Sequence, residues 1–221
     1  MPPVPRRFEL IVFDWDGTLV DSTRIIVDSI QSASVDAGLP VPDATSARGI
    51  IGLSLQEAVS ELFADISPQQ LQLLIERYRH YYFAGDHEIP LFPEVAEAMA
   101  ELNAQGCLLA VATGKGRRGL ESSFEQTGLR PQFIASRCAD ECFSKPHPQM
   151  LLELMHELGV LPQATLMVGD THYDLQMAAN AGVSSLAVTY GAQPLESLLP
   201  HAPLASFDSF AKLRAWLNEN A

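Results

Sequence analysis

Four acidic residues stand in two close pairs. Asp14 and Asp16 are two apart in FDWDGTLVDS (Phe13–Ser22), and Asp170 and Asp174 are four apart in LMVGDTHYD (Leu166–Asp174). Each pair follows a short apolar run, where a buried strand would end. Two ionised carboxylates ~4 Å apart repel by about 4 kcal/mol at an effective dielectric of 20. Acids gathered there need an opposing charge, and a hard cation such as Mg²⁺ supplies it through oxygen ligands. Taken singly, each pair has a plainer explanation. DxDG suits a solvated Asx turn. Asp170 suits a helix cap, with Asp174 in the first turn, where the dipole favours acids. The repetition at two strand ends favours chemistry.

Two further stretches supply groups of the opposite sign. VATGK (Val111–Lys115) puts Thr113 at a strand end before a run rich in Lys115, Arg117 and Arg118. A hydroxyl with the amides of a helix start makes an anion site; a plain Thr cap is the bland alternative. SKPHP (Ser144–Pro148) puts Lys145 before Pro146, whose ring biases the lysine toward extended backbone, and Pro148 suits a first helical turn. Alone, Lys145 would be an ordinary solvated loop lysine.

These residues need a scaffold that brings strand ends together. FELIVF (Phe8–Phe13), CLLAVAT (Cys107–Thr113), FIAS (Phe133–Ser136), TLMVG (Thr165–Gly169) and SSLAVT (Ser184–Thr189) read as strands, with LASF (Leu204–Phe207) a weaker one. Near-continuous apolar runs suit a parallel sheet covered on both faces. Helical patterns lie between them at Pro93–Gln105, Met150–Leu158 and Leu175–Ala181. The alternation predicts an α/β domain with a Rossmann-like parallel sheet and right-handed crossovers. In such a sheet, ligands bind beyond the carboxyl ends of the strands.

The stretch from Ser22 to about Pro93 is far longer than one crossover. Its Leu71, Leu74, Ile75, Tyr78 and Tyr82 are spaced three and four apart, as on a helix. It reads as an inserted α-helical cap, residues 22–90, in a catalytic core of residues 1–21 and 91–221. The connections near Asp21 and Pro90 would form a paired hinge.

The 221 residues carry a net charge of −13, which argues against nucleic acid or an anionic membrane as main partner. A small anionic substrate stays open, because local charge can oppose the total. The three cysteines, Cys107, Cys138 and Cys142, suggest reduced thiols and a cytoplasmic setting. Cys138 and Cys142 have no second Cys/His pair at zinc-site spacing. MPPVPRRFEL lacks the apolar core of a secretory leader.

In order along the chain, DWDGTL, TGK, KPHP and GDTHYD resemble the four motifs of the haloacid dehalogenase-like superfamily. IVFDWDGTLVDS, RGIIGLSL, TGKGRRGL, KPHPQML and the YG at Tyr190–Gly191 are most similar to its phosphoglycolate phosphatase-like branch, with a helical cap after the first motif. The resemblance spans nearly the whole chain. It implies a phosphatase in which Asp14 attacks phosphorus to form an aspartyl-phosphate and Asp16 serves as general acid, then base. It implies Mg²⁺ held by the Asp14 carboxylate, the Asp16 carbonyl and Asp170, with Asp174 as a further metal-site residue acting from behind or through water. Thr113, Gly114 and Lys145 would bind the phosphoryl group, and Arg48 of the cap would meet an anionic substrate. Arg24 and Arg117 are weaker candidates, and His147 and His172 are expected to be loop or interface residues. Two departures stand out: Trp15 between the acids, expected to point away from the metal, and Gly114 where many relatives carry Asn.

The expected partner is a small phosphorylated metabolite, phosphoglycolate first, with pyrophosphate and sugar phosphates as options, and the protein a monomer or homodimer. A sugar-phosphate mutase of β-phosphoglucomutase type is the runner-up within the superfamily. A metal-free dehalogenase is disfavoured by the second acid of DWD and by GDTHYD. A phospho-receiver module, from another class, shares the residue types but is usually smaller and lacks a helical insertion.

Overall fold

In the computed structural model, residues 7–83 and 89–220 are described. The first six residues of MPPVPRRFEL, on which the leader reading rests, and the 84–88 part of the expected cap lie outside them.

Six strands form one sheet: β1 (Leu10–Phe13), β2 (Leu108–Thr113), β3 (Ala135–Cys138), β4 (Thr165–Gly169), β5 (Ser184–Val188) and β6 (Ala205–Phe207). They lie in the order β3-β2-β1-β4-β5-β6, and every pairing is parallel. β1 sits at the centre because it is wholly apolar and wholly buried. Its pleat sends alternate residues to opposite faces. Ile11 and Phe13 join Leu109, Val111, Leu166 and Val168 in one core layer, under α5 (Val95–Ala104), α6 (Arg117–Thr127) and α10 (Phe210–Asn220). Leu10 and Val12 join Ala110, Ala112 and Met167 in the other, under α7 (Gln149–Leu158) and α8 (His172–Asn180). The strand order reverses between β1 and β4, the crevice where open α/β sheets bind ligands. Phe13 is in register with Val111 and Val168, so these three strands end within two residues of one level.

Between β1 and β2 come α1 (Thr23–Asp36), α2 (Ala44–Gly49), α3 (Leu55–Leu62) and α4 (Pro68–Phe83). They bury a cluster of their own, including Ile26, Ile30, Ala47, Ile51, Val59 and Leu74. Asp43 accepts from the amides of Thr45 and Ser46 at the start of α2, and Ser54 accepts from Glu57 at the start of α3. The two connections of this helical unit run side by side. Asp21 N donates to Pro90 O at 2.9 Å, and Phe92 N donates to Leu19 O at 3.0 Å.

Three local expectations shift. β3 begins two residues later than FIAS suggests: Phe133 is buried beside the one-turn 3₁₀ helix Arg130–Gln132, and pairing starts only at Ala135. Pro148 is the residue before α7, not its first residue. Lys115 precedes α6, whose N-cap is Gly116.

Candidate active site

The carboxyl ends of β1, β2 and β4 bring the four motifs to one place. Asp14 follows β1 directly and its amide donates to Val168 O of β4 at 2.9 Å. Asp170 follows β4 directly, and Asp174 sits in the first turn of α8. Asp14, Asp170 and Asp174 are all buried, and each offers a carboxylate oxygen within 4.8 Å of the others. Lys145, from the loop after β3, reaches into this cluster with its side chain fully buried. Its Nζ donates to Asp14 Oδ1 and Asp174 Oδ1, both at 2.6 Å. The Lys145–Pro146 bond is cis.

Every oxygen of the triad is engaged save one. Asp174 Oδ2 accepts from Thr171 N at 3.1 Å and Thr171 Oγ1 at 2.7 Å, closing a capping box on α8. Asp170 Oδ1 accepts from Thr18 Oγ1 at 3.0 Å, and its Oδ2 from Ala192 N at 2.7 Å. Asp14 Oδ2 is buried without a hydrogen-bond partner. Burial pushes the Asp14 carboxyl well above the usual range; Lys145 opposes that, and Asp174 and Asp170 add to it. Burial and then Asp174 push Asp170 up to about 7. Burial pulls Lys145 down, but Asp14 and Asp174 outweigh it and hold the ammonium above its ordinary value. One cation thus faces three buried acids. That excess of negative charge in a set of carboxylate oxygens fits a hard divalent ion.

Gly17 makes the turn after Asp16 possible. Its φ is +82°, and a Cβ there would run into Asp170 Oδ2. Asp16 is apart from the acidic triad. Its Oδ2 pairs with Lys115 Nζ at 3.0 Å, and its Oδ1 accepts from Ser22 Oγ at 2.7 Å. Lys115 also donates to Tyr82 Oη of α4 at 2.9 Å and lies over that ring at 4.4 Å. Thr113 is buried at the end of β2, and its Oγ1 accepts from Lys115 N at 3.2 Å.

A cavity of about 890 Å³ opens from these groups toward the helical unit. Asp14, Asp16, Thr113, Gly114 and Lys115 line its core side, and α1, α3 and α4 supply much of its apolar wall. Arg48 is not among the lining residues: it is exposed on α2. The arginines that do line it are Arg79 of α4 and Arg118 of α6. Arg24 pairs with Asp28 on the surface, and Arg117 is held by Glu141, Glu121 and Ser136. His147 Nδ1 accepts from Gln149 N in its own loop, and His172 packs on Gln193. Trp15 turns away into the core, where its Nε1 donates to Ser123 Oγ at 2.7 Å.

Sequence reading passed over Thr18, Ser22 and the Ala192 amide. Ser22 was visible in DWDGTLVDS near Asp16, the acid it serves; Thr18 stands in the same stretch but serves Asp170, a pairing across the chain that no local pattern gives. A backbone amide carries no sequence signal. Tyr82 was placed on a helix by its spacing, and nothing in that spacing gave it Lys115 as a partner.

The model of the family described as "Haloacid dehalogenase-like hydrolase" matches residues 11–188. The chain belongs to that family, on its phosphatase side. It is 34% identical over 211 residues to the protein named "Probable phosphatase IndB" of Dickeya dadantii (strain 3937), covering 92% of this chain and 91% of that one. It is 31% identical over 219 residues to the phosphoglycolate phosphatase of Aliivibrio fischeri (strain ATCC 700601 / ES114), covering 95% and 96%. A solved structure titled as a predicted phosphoglycolate phosphatase from Haemophilus somnus 129pt superposes with a TM-score of 0.81 at 28% identity, over 94% of this chain and 96% of that one.

Proposed function

We propose that this protein is a Mg²⁺-dependent phosphomonoester hydrolase that works through an aspartyl-phosphate on Asp14. Its substrates are small phosphorylated metabolites, and phosphoglycolate, named for several relatives, is the reference compound. The observation that carries this reading is the asymmetry of Asp14: Oδ1 is fixed by Lys145, and Oδ2 is buried at the cavity with no partner. A nucleophile needs such an oxygen, held in place and not spent on a hydrogen bond.

In this reading Asp14 Oδ2 attacks phosphorus as the bond to the leaving oxygen breaks. Thr113 Oγ1 and Lys145 orient the phosphoryl oxygens. Asp16 hands a proton to the departing alkoxide, then takes one from the water that cleaves the Oδ2–P bond and releases phosphate. Ser22 and Lys115 fix both oxygens of Asp16, so the proton moves at a defined position. Asp14 and Asp170, with Asp174 behind them, would hold Mg²⁺, which neutralises charge on the transferring group. Asp174, with one oxygen on Lys145 and the other on Thr171, orients the lysine. The helical unit acts as the cap: it closes over the cavity, excludes water during attack and selects the leaving group. The setting is cytoplasmic; among the described residues no helix is long and apolar enough to cross a membrane.

A phosphate-release screen over phosphometabolites with Mg²⁺, run beside Asp14→Asn, tests this. The wild type should release many phosphates per molecule without a bisphosphate activator, which a mutase would require. Asp14→Asn should stay folded and lose at least ~10³-fold in turnover. Undiminished turnover from that variant would remove Asp14 from its role.

A further inference from the structure

A carboxylate in a turn does not place itself, and Asp16 is held from two sides of the cleft. Ser22 Oγ holds its Oδ1 from the start of α1, and Lys115 Nζ holds its Oδ2 at 3.0 Å. A lysine alone is a loose clamp, because a flexible four-carbon stem carries an ammonium whose three donors rotate. Here the ammonium has a second partner. Tyr82 Oη of α4 accepts from Nζ at 2.9 Å, and Nζ lies over the same ring at 4.4 Å. Tyr78, one turn earlier on α4, stacks on that ring with centres 5.7 Å apart. The stem is confined as well. Gly119 is the third residue of α6, although glycine is a weaker helix former than alanine. A Cβ there would stand 2.9 Å from Lys115 Cγ and 3.1 Å from its Cδ. Carbon contacts ordinarily fall at about 3.5–4.0 Å, so a larger residue would push the stem aside. The side chains of Lys115 and Asp16 are only 10% and 13% exposed. A lysine so enclosed and so partnered serves Asp16, not the substrate.

On the phosphatase reading above, we propose that Tyr82 is a positioning residue for proton transfer: acting through Lys115, in a slot that Gly119 leaves open, it fixes where Asp16 meets the leaving oxygen. The chemical step is unchanged. The ester P–O bond breaks, and the proton of Asp16 goes to the oxygen that departs. Because Tyr82 belongs to α4, the helical unit supplies one of the two holds on the proton carrier.

The test exploits the leaving group. An alkyl alcohol needs that proton to depart, whereas the far more acidic 4-nitrophenol leaves without it. We compare kcat/KM, which covers events up to phosphoryl transfer, for the best alkyl ester of the screen above and for 4-nitrophenyl phosphate. The wild type, Tyr82→Phe, Gly119→Ala and the double variant are measured, with thermal unfolding to establish that each is folded. A misplacement of ~1 Å can cost about 10²-fold, so the alkyl-to-aryl ratio should fall at least about tenfold in each single variant. Both substitutions act through Lys115, so the double variant should fall further by less than about threefold. An equal loss on both esters overturns the inference, since it marks a substrate contact or a changed cavity shape. So does an unaltered ratio in Tyr82→Phe, or a double variant in which the two effects multiply. Each of these leaves the phosphatase reading standing. Absence of phosphate release from every alkyl ester by the wild type sinks that reading itself, and this inference with it.

Discussion

Lys145 is the residue on which the acidic cluster depends. It is fully buried between two carboxylates at 2.6 Å each, and removing it leaves both without a counter-charge. Breaking a buried pair in this way costs about 3–5 kcal/mol. For a chain of this size, Lys145→Ala should lower Tm by on the order of 10 °C and abolish turnover, and calorimetry with an activity assay checks both. Lys145→Arg should not rescue, because a guanidinium is larger and the site is closed. The same cluster sets a pH dependence. The Asp170 carboxyl stands at about 7 against an ordinary 3.8, so the fold favours its protonated form. Without metal, that contribution is fully present below about 4 and is lost as pH rises through about 7. Mg²⁺ must displace the proton to bind. The rise in Tm on adding Mg²⁺ should therefore be larger at pH 8 than at pH 5; an equal rise would contradict the assigned ligand.

At the level of elements, the helical unit is seated on the core through backbone. A Cβ built on Gly114 would lie 2.5 Å from both Gly52 O and Leu53 O. Ser54 N donates to Ser144 Oγ at 2.9 Å, and Gln193 Nε2 donates to Gly49 O at 3.4 Å around the same rim. No side chain fits beneath that loop, which gives a physical reason for glycine after Thr113. Gly114→Ala should lift the unit off the core and cost about tenfold in kcat/KM, with faster proteolysis at the connections near Asp21 and Pro90. Normal kinetics and normal protection would show that the seat is not used. The strands were legible because a doubly covered sheet demands unbroken apolar runs. β3 was the exception: its polar Ser136 and Arg137 hid it, and the apolar Phe133 drew the assignment two residues early. The acids, Thr113 and Lys145 were legible because their motifs fall at strand ends. Arg48 was not, since its distance from the cavity depends on how α2 packs, and a local pattern carries no such information.

Over the whole molecule, a net charge of −13 opposes the approach of any phosphate ester. Arg79 and Arg118 line the cavity from the helical unit and the core, so they offset that repulsion where it matters. Replacing both by alanine should raise KM about three- to tenfold with kcat nearly unchanged, and more so at low salt than at high. Arg48→Ala should leave KM as it was; the reverse pattern in steady-state kinetics would return the role to α2. Trp15 has a different kind of consequence. Its indole is buried next to Asp14 in sequence, edge-on to Phe124 with ring centres 4.9 Å apart, and the chain contains two tryptophans in all. With Trp216→Phe, intrinsic emission would come from a single chromophore beside the proposed nucleophile. Blue-shifted fluorescence from that indole would then report in real time on the integrity of the protein's interior around Asp14, with no added dye.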